Sequence, residues 1–305
     1  MLDYEVKLKH FVESQQLNPF IINALFSRAD QLRKKPSNSL KGKILVTLFY
    51  EPSTRTRLSF ESAMLKMGGQ VITTENAKEF SSAIKGESME DTIRVISSYA
   101  DCVVIRHYEE GTAKKAARIS PIPVINAGDG KGQHPTQALL DIYTIYKEIG
   151  RLENFSIAIV GDLAYGRTVR SLAYLLGKFN NIKIIFVSPD HLRVGSDIKD
   201  YLTRHNIIFT ERNDLNPVLS EVDIIYLTRI QKERMSQEEY EKARGSYNIT
   251  INNLGLIKPG ARIMHPLPKV DEITLPIDVE LNEKRIAYFR QVENGLFIRM
   301  ALLDM

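Results

Sequence analysis

The chain has 305 residues, 43% hydrophobic and 26% charged, with a formal net charge of +4; that is ordinary globular composition, with length for two domains. Basic residues are interleaved with acids, as in Gln231-Lys232-Glu233-Arg234, so no basic stripe marks a nucleic-acid surface, and no apolar run approaches the roughly 20 residues of a membrane span. Cys102 is the only cysteine, which excludes an intramolecular disulfide, and its neighbours Val103, Val104 and Ile105 fit a small buried hydrophobe better than a nucleophile.

Residues 1–10 are charged throughout, without the apolar centre of a signal peptide, and fit a cytoplasmic protein. Asn18-Pro19 supplies a cap and a first-turn proline for an amphipathic helix over 20–32, and Lys34-Lys35 suits its C-terminal dipole. Residues 44–50 form an apolar run rich in β-branched and aromatic side chains, too short for a helix; the run reads as a strand, broken by Glu51-Pro52. Leu58, Phe60, Ala63, Met64 and Met67 then give a helical pattern that Gly68-Gly69 stops.

Ser53-Thr54-Arg55-Thr56-Arg57 therefore lies at a helix N-terminus, where unpaired N–H groups and the helix dipole favour an anion. Ser53, Thr54 and Thr56 add hydroxyl donors, and Arg55 adds a guanidinium fork matched to phosphate. A helix cap with two solvated arginines is the plainer alternative. Two arginines and three hydroxyls in five residues exceed what one cap requires.

Residues 70–74 read as a strand and 75–85, polar and without period, as a loop able to move. Ser88-Met89-Glu90-Asp91 is a capping signal for a helix whose buried face is Ile93, Val95, Ile96 and Tyr99, so Lys85 stands just ahead of a helix start. A strand over 102–105 ends at Arg106-His107; a helix over 111–119 follows, then a strand over 121–125 that ends in a loop at 126–130. This alternation implies a parallel sheet with right-handed crossovers. Ligands of such sheets bind at the carboxyl ends of strands, where 53–56, Arg106 and the 126–130 loop all fall.

His134-Pro135-Thr136-Gln137 opens a long helix with an apolar stripe at Ala138, Leu139, Ile142, Ile145, Tyr146 and Ile149. Proline at the first helical position makes His134 the cap and puts Gln137 in the same turn, so both can face one ligand. A lone histidine is more often structural; a preceding strand-end glycine loop and the glutamine favour function here.

A second alternation follows, with strands at 156–160, 183–187, 207–209 and 223–227 and helices at 168–176 and 196–204. The fold class is therefore α/β, with two doubly wound parallel-sheet domains. The turn from Gly161 to Gly166 is not G-x-G-x-x-G, so no nicotinamide cofactor is expected, and Arg167 stands instead at the helix start. Arg229 and Gln231 project to one side if the chain stays extended after its strand, a solvated strand end being the alternative. A strand over 262–264 leads to His265-Pro266-Leu267-Pro268, whose prolines leave mainly carbonyl oxygens for a ligand. Residues 271–290 give no regular pattern, and 292–303 close the chain as an apolar helix.

Together, Ser53-Thr54-Arg55-Thr56-Arg57, His134-Pro135-Thr136-Gln137 and His265-Pro266-Leu267-Pro268 resemble the carbamoyltransferases. The resemblance runs from about Lys41 to Ala301 and is closest to the aspartate type: the ornithine type carries cysteine at the place of Pro266, and the segment from Thr228 to Arg234 looks like the aspartate type. It implies a carbamoyl phosphate-binding domain over 1–133, an aspartate-binding domain over 134–288 and a C-terminal helix over 289–305 returning to the first. It implies transfer of a carbamoyl group from carbamoyl phosphate to the α-amine of L-aspartate, an early step of pyrimidine (UMP) biosynthesis. No cofactor or metal is implied, and no His/Cys/Asp cluster has ligand spacing.

The family's phosphate and carbamoyl groups map onto Ser53, Thr54, Arg55, Thr56, Arg106, His134, Gln137, Pro266, Leu267 and Pro268. Its aspartate groups map onto Lys85, Arg167, Arg229 and Gln231, and Arg55, Thr56, Arg106, His134 and Lys85 are the implied catalytic set. The family's sites sit in a homotrimer, with a serine and lysine, here Ser81 and Lys85, reaching a neighbouring subunit; regulatory chains are possible further partners. Ala164 stands where the family usually has lysine, and Arg170 where histidine is common; neither carries an assigned chemical role.

Overall fold

The apolar run after Lys43 forms β1 (Ile44–Phe49), buried from its second residue onward. In this computed structural model, which describes residues 8–80, 85–230, 237–238 and 247–305, the chain separates into two compact units. One comprises Met1–Leu140 with Glu293–Met305 and the other Asp141–Val292.

In the first unit, α1 (Pro19–Lys34) starts at Asn18, whose Oδ1 accepts the Ile21 N–H at 2.9 Å. The helix α2 (Thr54–Lys66) follows β1, and β2 (Gln70–Glu75) follows α2. Next come α3 (Ala77–Phe80), α4 (Met89–Ser97), β3 (Cys102–His107), α5 (Thr112–Ile119), β4 (Val124–Asp129) and the start of α6 (Pro135–Ile149), whose residues from Asp141 onward belong to the second unit. The four strands form a fully parallel sheet in the order β2-β1-β3-β4. Strand order reverses between β1 and β3, which opens a crevice beyond their carboxyl ends.

The second unit repeats the plan. Its elements are β5 (Phe155–Val160), α7 (Arg167–Leu176), β6 (Ile182–Val187), α8 (Ser196–Arg204), β7 (Ile208–Arg212), α9 (Asn216–Leu219), β8 (Ile224–Leu227), β9 (Ile249–Thr250), β10 (Arg262–Met264) and β11 (Ile273–Thr274). The main sheet is parallel in the order β10-β8-β5-β6-β7, and β11 pairs with β9 separately. Here the order reverses between β5 and β8. Ala158, Val160, Ile185, Val187, Ile225 and Leu227 fill its core.

Several sequence expectations shift. Leu58 is 49% exposed, because α2 buries the face made by Thr56, Phe60, Ala63 and Met64; a residue two positions from Thr56 lies on the opposite side of a helix. Val95 and Tyr99 are exposed for the same reason, Ile93 being the buried apolar anchor of α4. The stretch read as irregular at 75–85 contains α3, seated by the buried Ala77, while residues 81–84, Ser81 among them, lie outside the described residues.

The expected loop at 126–130 is mostly strand. Phe11 bridges to Ile125 and accepts the Asn126 N–H at 2.9 Å, and Asn126 Nδ2 donates to the Val12 carbonyl at 3.0 Å, so the polar end of β4 is paired rather than solvated. Every residue of α6 up to Ile145 is buried, so the helix has no solvated face there and the expected single stripe is replaced by burial all round. The stretch at 271–290 holds β11, a short helix (Ile277–Asn282) and the start of the C-terminal helix (Tyr288–Asp304).

Residues 293–305 pack within the first unit. Arg33 pairs with Glu293 at 2.8 Å and lies over the Phe297 ring, Arg28 pairs with Asp304, and the buried Arg299 donates to Ser59 Oγ at 2.9 Å.

Candidate active site

In the first unit Ser53 to Thr56 follow β1 and Arg106 ends β3, the two strands beside the order reversal, while His134 and Gln137 follow β4 and Lys85 precedes α4. Beyond β1, Ser53 is the N-cap residue of α2 but its hydroxyl makes no capping hydrogen bond. It is therefore not spent on the helix. Thr54 and Arg55 are exposed on the first turn and Thr56 is buried beneath them. Desolvation draws the Arg55 guanidinium below its ordinary value, and it remains a cation at any physiological pH. Arg57 turns the other way, onto Glu61 at 3.2 Å and Glu75 at 2.8 Å, and ties α2 to the edge strand β2.

Arg106 stands at the end of β3, in register with Phe49 of β1. It donates to the Ala127 carbonyl at 3.3 Å and pairs with Glu51 at 3.2 Å. Next to it, His107 is buried and lowered in pKa by desolvation; its Nδ1 accepts the Glu109 N–H at 3.0 Å. With Nδ1 taken up as an acceptor, the His107 ring is anchored to its own turn beside the cationic Arg106.

Beyond β4, Asp129 gathers the turn that delivers His134: its side chain accepts the N–H groups of Gln133 at 2.9 Å and Gly111 at 3.0 Å. The carbonyl of His134 then receives Gln137 N–H at 3.0 Å and Ala138 N–H at 3.2 Å, so its imidazole and the buried Gln137 side chain share the first turn of α6. Lys85 is exposed, ahead of α4, whose first turn is capped by Ser88 Oγ accepting Asp91 N–H at 3.1 Å.

The second unit groups its expected residues in the same way. After β5, Asp162 caps the turn by accepting the Tyr165 N–H at 2.9 Å, and Arg167 opens α7. After β8, Thr228 donates its N–H and its hydroxyl to the Val160 carbonyl at 2.8 and 3.0 Å, which fixes the half-buried Arg229 next to the β5 turn. Gly161 has φ +117°, and a Cβ there would stand 2.2 Å from the Thr228 carbonyl oxygen; only glycine permits this approach. Gln231 lies outside the described residues. Arg170, at the position noted above as commonly histidine, pairs with Asp197 at the start of α8.

After β10, the His265 turn presents carbonyls for a definite reason. Pro266 and Pro268 have no N–H, and the remaining one, on Leu267, donates to His265 Nδ1 at 2.8 Å. Pro266 and Leu267 thus offer acceptors with no competing backbone donor. Among the described residues, no three His, Cys, Asp or Glu side chains come close enough to hold a metal ion, and no helix is long and apolar enough to cross a membrane.

Sequence reading missed Glu51, the partner of Arg106, and the buried group Asp141, Tyr226 and Gln291. A lone acid inside the apolar run Leu139 to Ile142 was the available signal for Asp141; nothing in the sequence marks Gln291.

The family models "Aspartate/ornithine carbamoyltransferase, carbamoyl-P binding domain" and "Aspartate/ornithine carbamoyltransferase, Asp/Orn binding domain" match residues 9–147 and 153–305. The chloroplastic aspartate carbamoyltransferase of Arabidopsis thaliana is 55% identical over 98% of this chain and 78% of its own length. The aspartate carbamoyltransferase catalytic subunit of Methanocaldococcus jannaschii is 49% identical over 97% of both chains. A solved aspartate transcarbamoylase from Trypanosoma cruzi, in complex with carbamoyl phosphate and aspartate, superposes with a TM-score of 0.92 at 35% identity, over 99% of this chain and 96% of that one. The chain belongs to the aspartate/ornithine carbamoyltransferase family.

Proposed function

We propose that the chain transfers the carbamoyl group of carbamoyl phosphate to L-aspartate, giving N-carbamoyl-L-aspartate and phosphate, an early step of pyrimidine biosynthesis. The observation that carries this reading is that, in each unit, cations and hydroxyls or carbonyls stand beyond the carboxyl ends of parallel strands, with Arg106, Arg167 and Arg229 next to the order reversals. Both substrates are anions. The first unit offers Arg55, Arg106 and Lys85, and the second Arg167 and Arg229.

In this reading Ser53, Thr54, Arg55 and Thr56 hold the phosphate, and Lys85 joins them. Thr56, Arg106 and His134 face the carbonyl oxygen, where negative charge grows as the amine attacks; one such donor is worth roughly 3 kcal/mol. The carbamoyl NH₂ donates to Gln137 and to the carbonyls of Pro266 and Leu267, with Pro268 completing the turn. Arg167, Arg229 and Gln231 take the two aspartate carboxylates, with Lys85 assisting. The new C–N bond forms as the bond from the carbamoyl carbon to the phosphate oxygen breaks, and the amine proton leaves with the phosphate. No covalent intermediate on the protein is required, so catalysis is positioning and electrostatics.

The domain roles follow: carbamoyl phosphate belongs to the first unit and aspartate to the second, as the descriptions of the two matching family models support. A homotrimer with sites shared between subunits is part of the proposal. Its support is the family resemblance and the apolar side chains that the first unit leaves exposed at Leu58, Leu65 and Ile72. Regulatory chains and a cytoplasmic location belong to the same reading, the substrates being water-soluble anions. Sedimentation of the purified chain tests the trimer.

The activity is tested by phosphate release. It should require carbamoyl phosphate and L-aspartate together, and L-ornithine should not replace aspartate, since Arg229 would face its cationic side chain. Equal rates with ornithine would overturn the acceptor assignment.

A further inference from the structure

A chain of buried hydrogen bonds runs behind the His265 turn, entirely within the second unit. Asp141 on α6 is fully buried, and its Oδ2 accepts the Tyr226 hydroxyl at 2.7 Å. Its Oδ1 accepts Gln291 Nε2 at 2.6 Å. Gln291 Oε1 in turn accepts the backbone N–H of His265 at 3.0 Å, and His265 Nδ1 accepts the N–H of Leu267 at 2.8 Å. Gln291 and His265 are each 1% exposed.

Every link has a fixed direction. A carboxylate only accepts, so Asp141 compels Gln291 to present its NH₂ to it. The amide oxygen of Gln291 is thereby left facing His265, the one orientation that receives a backbone N–H. Linked hydrogen bonds of one polarity reinforce one another in a dry interior. The far end of the series is the proline-flanked turn whose carbonyls have no competing donor.

We propose that Asp141 and Gln291 are positioning residues: together they set the carbonyls of Pro266 and Leu267, and so let the enzyme tell a carbamoyl NH₂ from a group that cannot donate. The inference rests on the carbamoyl-binding role given to that turn under Proposed function.

The test compares binding of carbamoyl phosphate, acetyl phosphate and inorganic phosphate to the full chain. Acetyl phosphate carries a methyl group where carbamoyl phosphate carries the amide, so it cannot donate to the turn. Asp141→Asn gives Gln291 a donor to face, and the amide can rotate and lose His265. Gln291→Glu sets two carboxylates against each other. The double variant Asp141→Asn/Gln291→Glu reverses the bond between the two residues but keeps them complementary, because the asparagine NH₂ donates to one glutamate oxygen and the other still accepts from His265.

The wild type should prefer carbamoyl over acetyl phosphate by about tenfold or more, each single variant should lose about that factor, and the double variant should recover it, with inorganic phosphate binding unchanged throughout. Should a single variant fail to fold, a folded double variant with the preference intact carries the inference, and a folded double variant without it overturns the inference. Equal losses for all three ligands, or single variants that keep the preference, also overturn it. A wild type that binds carbamoyl and acetyl phosphate equally would instead overturn the role given to the turn itself, and this inference with it.

Discussion

The guanidinium of Arg106 lies 3.2 Å from the carboxylate of Glu51, so the cation at the end of β3 is held by the acid that follows β1. Both side chains are mostly buried, at 14% and 26% exposure, and Arg106 also donates to the Ala127 carbonyl. The pair aims the guanidinium more than it stabilises the fold, since a partly solvated ion pair contributes little net free energy. Glu51→Gln should lower kcat by about tenfold through loss of that aim, with stability changed by less than about 1 kcal/mol. Steady-state kinetics beside a urea melt checks this; an unchanged kcat contradicts it.

Gly161 controls the second unit's arginine in a comparable way. Its φ is +117°, and the 2.2 Å that would separate a Cβ from the Thr228 oxygen leaves no room for a side chain. Gly161→Ala should cost about 2–4 kcal/mol and displace the end of β8 that carries Arg229. The expected kinetic signature is a raised KM for L-aspartate with little change for carbamoyl phosphate, measured under conditions where the variant is folded.

A pH dependence follows from Glu283. Its hydrogen bonds from Arg285, at 2.9 and 2.6 Å, bring its pKa down from 4.5 to about 2. Arg285 also donates to the carbonyls of Leu254 and Ile257, so the pair fastens one loop of the second unit. A carboxylate depressed on folding stabilises the folded state above its unfolded value, and that contribution fades as pH falls from about 4.5 toward 2. Glu283→Gln should cost about 1 kcal/mol at neutral pH, the solvent-screened share of the shift. The wild type and the variant should converge in denaturant melts as the pH is lowered through that window.

Cys102, at the start of β3, has its thiol pushed up to about 12, chiefly by desolvation. The thiolate fraction at pH 8 is then negligible. Iodoacetamide should label the folded chain more slowly than the urea-unfolded chain by at least about a hundredfold, read by mass spectrometry.

Much of this arrangement is legible in the residues alone. The strands at β1, β3, β5 and β6 are apolar runs with breakers at their ends, and the motif residues could be assigned to strand ends because the alternation of strand and helix dictates a parallel sheet. What the sequence conceals depends on partners distant in the chain. The polar end of β4 extends as strand because residues 11–12 and the end of β3 pair with it, and α6 reads as amphipathic although it is buried all round up to Ile145. Glu51 looks like part of a strand breaker, and Gln291 looks like an ordinary polar residue near a helix start. Their significance lies in Arg106 and in Asp141 with His265, which local spacing cannot join.

The central claim, carbamoyl transfer with Arg106 on the developing oxyanion, is tested most directly by single-turnover formation of N-carbamoyl-L-aspartate from carbon-labelled carbamoyl phosphate in the wild type and in Arg106→Ala. Label should reach aspartate in the wild type, and Arg106→Ala should be slower by about a hundredfold or more while melting like the wild type. Labelled product at a near-normal rate from Arg106→Ala, or none from the wild type, would contradict the account.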